Sequence, residues 1–356
     1  MADGAVIENL SNRKLLWIIG VLLVAQIGFY VLGGYVAPEP SSPMQFTLTT
    51  CLLDKSKSNQ WIYLRKTLKN DGNCKEIDMK TVGTSNPANA PLRGKEIVWV
   101  AQMPHVRDGE QLEYSPWFQT LLGVVEVDLE QTPSSEGEAA GSLSAPMKLE
   151  VKMASRSKSD RFDAWQLVKH SEKLLNLQCA TESGGGSRYR CEPEQLFSLG
   201  SVDDPFYLLN VRIPNCNEST PEKHNCRIGK VAEITVVAIM QNGGFTQVWL
   251  VLKTLLTPLI AAGVVWYWNR IRQLPRPPYL LEKAIFTLGV CLVLVDFPLE
   301  WFMFWFRMPY MLLLSDLRQG LFYAMLLTFW LIFTGEHLMG DTGKNRLAAG
   351  SIGRVV

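Results

Sequence analysis

Long apolar runs and one extended region of alternating residues divide this chain. The first run, Leu15 to Val36, carries no charge and one side-chain amide, Gln26. At about 1.5 Å per residue its roughly 22 residues are enough to cross a hydrocarbon core of about 30 Å. A cleavable signal peptide has a shorter apolar region of about 7 to 15 residues, so an uncleaved anchor over 15–36 is expected. Further runs at Val248 to Trp268, Ala284 to Phe306 and Met308 to Gly335 predict three more spans.

Between the first and second runs the period changes to two. Met147 to Ala154 reads M-K-L-E-V-K-M-A, apolar on the odd positions and charged at Lys148, Glu150 and Lys152, the pattern of a half-buried strand. Gly123 to Leu129 alternates likewise, and Glu96 to Gln102, Phe206 to Ile213 and Val231 to Met240 are rich in β-branched and aromatic residues. One helix is expected near Ala164 to Leu175, with Ser159 or Asp160 as its cap. Gln131 to Pro146 has almost no large apolar residue and reads as a loop. The fold class is a multi-pass α-helical membrane protein carrying a mainly β domain, most simply a β-sandwich, between its first and second spans.

Charge sets the orientation. Thirty-five Lys+Arg against 34 Asp+Glu exclude a basic nucleic-acid-binding module, so no nucleic-acid partner is expected. Arg13 and Lys14 precede the first span. Arg270, Arg272, Arg276 and Lys283 against Glu282 lie between the second and third, and Lys344, Arg346 and Arg354 follow the fourth. By the positive-inside rule, residues 1–14, 269–283 and 336–356 face the cytoplasm and 37–247 the lumen or exterior.

That luminal segment holds Cys51, Cys74, Cys179, Cys191, Cys216 and Cys226. An even number in an oxidising compartment points to disulfides, and no C-x-x-C spacing suggests zinc. Six cysteines allow about fifteen pairings; the local ones, 51 with 74, 179 with 191 and 216 with 226, are favoured. Ser183 to Ser187, S-G-G-G-S, is a turn composition that would set two short strands side by side. Cys291, in the third span, reads as a small packing residue. Asn217-Glu218-Ser219 is a usable glycosylation sequon, whereas Asn9-Leu10-Ser11 on the cytoplasmic side should be silent.

Ionisable groups within spans are costly and mark pairs or sites. Asp296 and Glu300 lie four apart around Pro298 in the third span, and the fourth has Asp316 and Arg318. Counting inward from Phe306 and Tyr310 brings Arg318 to a level between the two carboxylates. Two readings stay open: a buried ion pair that fixes helix register, or the polar rim of a cavity. Lys253, near the luminal end of its span, is expected to snorkel, and Pro258 to kink the helix. Trp301, Phe302, Phe304, Trp305 and Phe306 fit an interfacial belt better than a ligand box. His105, His170, His224 and His337 are scattered, and neither H-E-x-x-H, G-x-S-x-G nor a phosphate loop occurs. No enzymatic activity, cofactor or metal is expected.

Specific strings go further. Q-N-G-G-F-T-Q-V-W (Gln241 to Trp249), K-T-L-L-T-P (Lys253 to Pro258), V-W-Y-W-N-R-I (Val265 to Ile271), R-P-P-Y-L-L-E-K (Arg276 to Lys283) and D-L-R-Q-G-L-F-Y-A-M-L-L-T-F-W (Asp316 to Trp330), then G-E-H (Gly335 to His337), strongly resemble the Wntless family. S-P-W-F-Q (Ser115 to Gln119) and I-E-N-L-S (Ile7 to Ser11) match too, so the likeness covers nearly all of 5–339. The resemblance implies a luminal sandwich of the Golgi-dynamics type ahead of part of a receptor-like seven-helix bundle. It fits Cys51, Cys74, Cys179 and Cys191 to the family's four luminal cysteines and leaves Cys216 and Cys226 as an additional pair. The implied function is a cargo receptor for lipid-modified Wnt proteins, working with membrane lipid and trafficking machinery between endoplasmic reticulum, Golgi, plasma membrane and endosome. Phe286, Trp301, Phe322, Tyr323 and Leu326 would be candidate linings of its acyl cavity. The family has eight spans, and 340–356 holds no fifth apolar run. The expectation is therefore a member truncated after its fourth span, the alternative function being a trafficking adaptor or receptor without acyl-cargo transport.

Overall fold

The computed structural model describes residues 11–53, 62–65, 72–77, 97–104, 106–107, 110–130, 142–181, 188–214, 224–225, 228 and 230–338. The chain divides into a sheet unit, Ser41–Gln241, and a helical unit, Met1–Pro40 with Asn242–Val356.

The strands of the sheet unit are β1 (Ser41–Thr47), β2 (Thr49–Leu52), β3 (Ile97–Met103), the short pair β4 (Val106–Arg107) and β5 (Glu110–Gln111), β6 (Leu121–Glu130), β7 (Ser142–Arg156), β8 (Gln166–Thr181), β9 (Arg188–Cys191), β10 (Glu194–Leu199), β11 (Phe206–Arg212) and β12 (Lys230–Gln241). Apart from β4 and β5 they form one sheet in the order β1-β12-β6-β9-β8-β7-β11-β3-β2, with β10 beside β9 on the same edge of β6. Each pairing is antiparallel. The sheet curls so that its two halves face one core: Leu121, Val125, Val127 and Leu129 of β6 pack in the same cluster as Met147, Leu149, Val151 and Met153 of β7. The two layers of the expected β-sandwich are thus two parts of one curled antiparallel sheet, and the alternating burial of β6 turns its apolar face to the shared core.

The expected strands on 96–102, 123–129, 147–154, 206–213 and 231–240 are all present, lengthened or shifted by a few residues. The expected helix on 164–175 is not. Those residues belong largely to β8, whose Leu175, Leu177 and Cys179 alternate into the core. The Leu, Lys and Glu content suits a helix, but pairing along fourteen residues of β7 decides the outcome, with Lys148 bridging Glu172 across the strands at 2.8 Å. Asp160 caps a turn instead: its Oδ2 accepts from the Ser157 amide at 3.3 Å. Ser142 to Pro146, expected in a loop, open β7; 131–141 lie outside the described residues.

β3 is buried on both faces because a second cluster, with Cys51, Tyr63, Leu64, Val98, Val100, Ala154 and Leu208, covers the outer side. Two disulfides are formed, Cys51–Cys74 and Cys179–Cys191, the latter between residues directly opposite on β8 and β9. Cys216, Cys226 and Asn217 lie outside the described residues.

The helical unit has α1 (Asn12–Val31), widened into a π-turn at Leu32–Val36, α2 (Gly243–Arg272), α3 (Leu280–Asp296), a 3-10 segment Leu299–Phe304, and α4 (Met311–Leu338). The helices at Asn12–Val36, Gly243–Arg272 and Met311–Gly335 are long and apolar enough to cross a membrane. α3 is shorter. The run expected to continue to Phe306 breaks at Phe297, which is extended (φ −60°, ψ 123°) because a residue before proline is pushed out of the helical region. α2 stays a single helix through Pro258. Asn242 starts it, its Oδ1 accepting from the Gly244 amide at 2.9 Å. Glu282, fully buried in the first turn of α3, accepts a two-pronged bond from Arg276 at 2.9 and 3.2 Å and one from the Tyr279 amide at 3.0 Å. The Arg276 guanidinium lies 3.8 Å from the Tyr279 ring, so the R-P-P-Y-L-L-E string builds the turn between α2 and α3.

Candidate functional site: a buried charge cluster

The break after α3 creates the site. Pro298 and the 3-10 turn carry Glu300 off the axis of α3 and bury it to 3% exposure. Its Oε1 accepts from Lys253 Nζ of α2 at 3.2 Å and from Arg318 Nη2 of α4 at 3.1 Å. One carboxylate oxygen therefore joins three segments. Arg318 Nη1 also donates to the Phe297 carbonyl at 2.9 Å and approaches that of Leu294 at 3.4 Å. These are carbonyls at the end of α3, where a cation complements the helix dipole.

Lys253 was expected to snorkel. Instead its ammonium stays inside, 15% exposed, against Glu300 and 3.9 Å from the Trp249 ring. Thr257 Oγ1 lies 2.8 Å from the Lys253 carbonyl, 2.8 Å from the Asp296 carbonyl and 3.2 Å from Asp296 Oδ2, which ties α2 to the last turn of α3. The Trp301 indole donates to Thr254 Oγ1 at 2.9 Å, and that hydroxyl donates to the Leu250 carbonyl at 2.7 Å. Such back-bonding satisfies threonines in an apolar helix. Glu300 Oε2 and Arg318 Nε are buried with no partner among the described residues.

Of the four charged residues singled out in the spans, Asp296, Glu300 and Arg318 come together. Asp316 is exposed on α4 and takes no part. Arg318 reaches Glu300 and the carbonyls above it, so the guanidinium partner is Glu300 while Asp296 is held by Thr257. Sequence reading named Lys253 only as a snorkelling residue, not as a partner of Glu300, and missed the two threonines. The available signal was a lysine inside an apolar run whose own helix offers no acid within reach. The five candidate cavity residues are not gathered in one place. Phe286 stacks on Trp268 at 4.3 Å, Trp301 donates to Thr254, and Phe322 and Tyr323 pack on each other at 5.9 Å. Trp268 and Thr254, the α2 partners of Phe286 and Trp301, are fourteen helical residues apart, about 21 Å.

Comparison with known proteins matches both units. Residues 49–241 match the family model "Wntless, GOLD domain" and 242–356 match "Wntless-like, transmembrane domain". The chain belongs to the Wntless family. The boundary between the two matches is the boundary between the sheet and helical units. The second match also takes in 340–356, which the sequence reading left outside the likeness. Among relatives, the chain is 47% identical to a protein wntless homolog of Caenorhabditis elegans over 98% of its own length and 62% of the relative's. It is 39% identical to protein wntless of Drosophila melanogaster over 97% of its length and 57% of the relative's, and 39% identical to that of Drosophila pseudoobscura pseudoobscura over 97% and 60%. The chain thus spans about 60% of the length of the Wntless proteins it matches. It is a multi-pass membrane protein with an N-terminal curled sheet of the Wntless GOLD type.

Proposed function

We propose that the chain serves Wnt secretion as a membrane cargo receptor that binds lipid-modified Wnt proteins and sorts them from endoplasmic reticulum and Golgi to the cell surface, with return through endosomes. The observation that carries this reading is the unbroken match of both units to the Wntless family over 49–356. In this reading 37–247 are luminal, carry a glycan at Asn217 and meet the protein part of the cargo. The helices offer apolar surface to its acyl chain. An acyl chain of about 14 methylenes gains roughly 0.8 kcal/mol each from apolar burial, enough to hold cargo in the bilayer unless a carrier competes. Cytoplasmic segments would engage trafficking machinery.

The test is co-precipitation of an acylated Wnt against its Ser→Ala unacylated form. A preference of tenfold or more for the acylated form is expected. Equal capture of both, or of neither, would leave a trafficking adaptor or receptor without acyl-cargo transport. Loss of mass on glycosidase treatment, abolished by Asn217→Gln, is expected if 37–247 are luminal.

A further inference from the structure

The strand registers give the sheet unit one end from which both of its membrane tethers leave. β1 begins at Ser41 opposite Gln241, the last residue of β12, so the chain arrives from α1 and departs for α2 at that end. Leu121 of β6 faces Met240 of β12 on one side and Leu199 of β10 on the other. β9 and β10 follow one another along β6, and β8 runs antiparallel to β9, with Cys179 opposite Cys191 and Thr181 opposite Tyr189. Thr181 therefore stands at the far end and Gln166 at the tethered end. Counted through β6, where Leu129 faces Tyr189 and Tyr189 faces Thr181, β8 draws level with Leu121 and Leu199 near Lys173, so Gln166 to His170 lie past it and span about 15 Å at roughly 3.3 Å per residue. Burial agrees: β8 is buried at Leu175, Leu177 and Cys179 but exposed on both faces from Gln166 to His170, where the opposing layer has ended.

The chemistry of this projection is unusual for a surface in water. Leu167 and Val168 are 51% and 49% exposed. The register shifts beside Met153 and Ala154, which face Lys169 and Leu167, so Val168 is the extra residue of a bulge. A bulge re-aims side chains out of strict alternation. The turn from β7 adds Lys158 and Arg161, 74% and 87% exposed, whose surface pairs with Glu113 and Asp163 are weak in water and leave both cations available. Half-buried Phe162 and Trp165 support the turn by stacking around the Arg156 guanidinium at 4.5 and 5.6 Å. Exposed aliphatic residues flanked by cations and aromatic rings form the composition that settles at headgroup level.

We propose that the tip of the β7–β8 hairpin, Ser157 to His170, is a lipid-contacting element, with Leu167 and Val168 entering the interface and Lys158, Arg161 and Lys169 meeting headgroup phosphates. It seats the sheet domain on the bilayer in which its own tethers are anchored. The proposal does not depend on what cargo the chain carries.

The full chain, unmodified, is reconstituted in phosphatidylcholine nanodiscs doped with a phospholipid bearing a diazirine near the glycerol, photolysed, and mapped by peptide mass. Lipid adducts on 157–170 are expected at least fivefold above those on the far-end strand β9. The exposed-site double variant Leu167→Ser, Val168→Ser should fall to the β9 level while keeping both disulfides. Adducts on 157–170 no more frequent than on β9 would overturn the proposal. So would protection of the 169–174 amides from hydrogen exchange that appears only with an added protein ligand, in the absence of lipid adducts, which would mark the open edge of β8 as a site of strand addition.

Discussion

Asn210 lies on β11 with 1% of its surface exposed, and both ends of its amide engage one backbone: Oδ1 accepts from the Tyr63 N–H at 2.7 Å and Nδ2 donates to the Tyr63 carbonyl at 3.3 Å. A single side chain thus fastens 62–65 over the outer face of the sheet. Asn210→Leu keeps the branched four-heavy-atom side chain but removes both bonds at a buried site, so unfolding stability should fall by about 2–4 kcal/mol, read as the melting shift of the purified chain. One strand away, on β7, Lys152 is buried beside Glu150 and Arg212, themselves joined with Arg212 Nε 2.9 Å from Glu150 Oε2. Burial, then the Arg212 charge, pulls the Lys152 ammonium below its ordinary 10.5, against the opposing pull of Glu150. Between the lowered folded value and 10.5 the unfolded chain holds more protons than the folded one, so this group's contribution to stability rises with pH across that window. Lys152→Met should abolish that slope. The melting difference between variant and parent should therefore narrow as pH rises toward 10.5, and a difference independent of pH would contradict the burial argument.

Among the helices, the unit of stability is the junction of α2, the break after α3, and α4. Glu300→Leu would leave Lys253 and Arg318 buried without their shared carboxylate, and removing one member of a buried ionic cluster costs about 3–5 kcal/mol. The triple change Lys253→Met, Glu300→Leu, Arg318→Met removes the uncompensated charges together and should recover most of that loss. Thermal aggregation of the detergent-solubilised chain reads both, and a triple variant no better than Glu300→Leu would mean the cluster is not the fastening. The same junction shows which parts were legible in sequence. Intramembrane charges announce themselves because apolar neighbours make them conspicuous, and so Asp296, Glu300 and Arg318 were found. Their partners depend on where α3 stops. Counting depth along one span through to Phe306 did not allow for a helix that ends at Phe297, before Pro298, and that break turns Glu300 toward Lys253 and Arg318 while Thr257 takes Asp296. In the sheet unit, β6 and β7 were readable from alternation alone. β8 was not, because at its exposed end, Gln166 to His170, no core imposes a period of two, and its Leu, Lys and Glu content then reads as helix.

At the scale of the whole molecule, the two units are stabilised by different physics. The sheet unit closes one core from strands distant in sequence and is stapled by Cys51–Cys74 and Cys179–Cys191, whereas no disulfide occurs among the described residues of the helical unit, where Cys291 is a free, buried thiol. Each staple closes a loop, of 23 and 12 residues in separation, and contributes about 2–4 kcal/mol by restricting the unfolded chain. For a domain of this size each kcal/mol moves the midpoint by about 2–4 °C. Reductant should therefore lower the melting of the sheet signal by on the order of 10–30 °C. The helical signal should be nearly unmoved, since its fastenings are the charge cluster and the Arg276–Glu282 pair, which carry no sulfur chemistry. Circular dichroism with and without reductant, followed at wavelengths that separate strand from helix, distinguishes the two. If both signals shifted together, the units would share one cooperative transition, and the division at Gln241 and Asn242, which the family matches also respect, would be one of form without energetic independence.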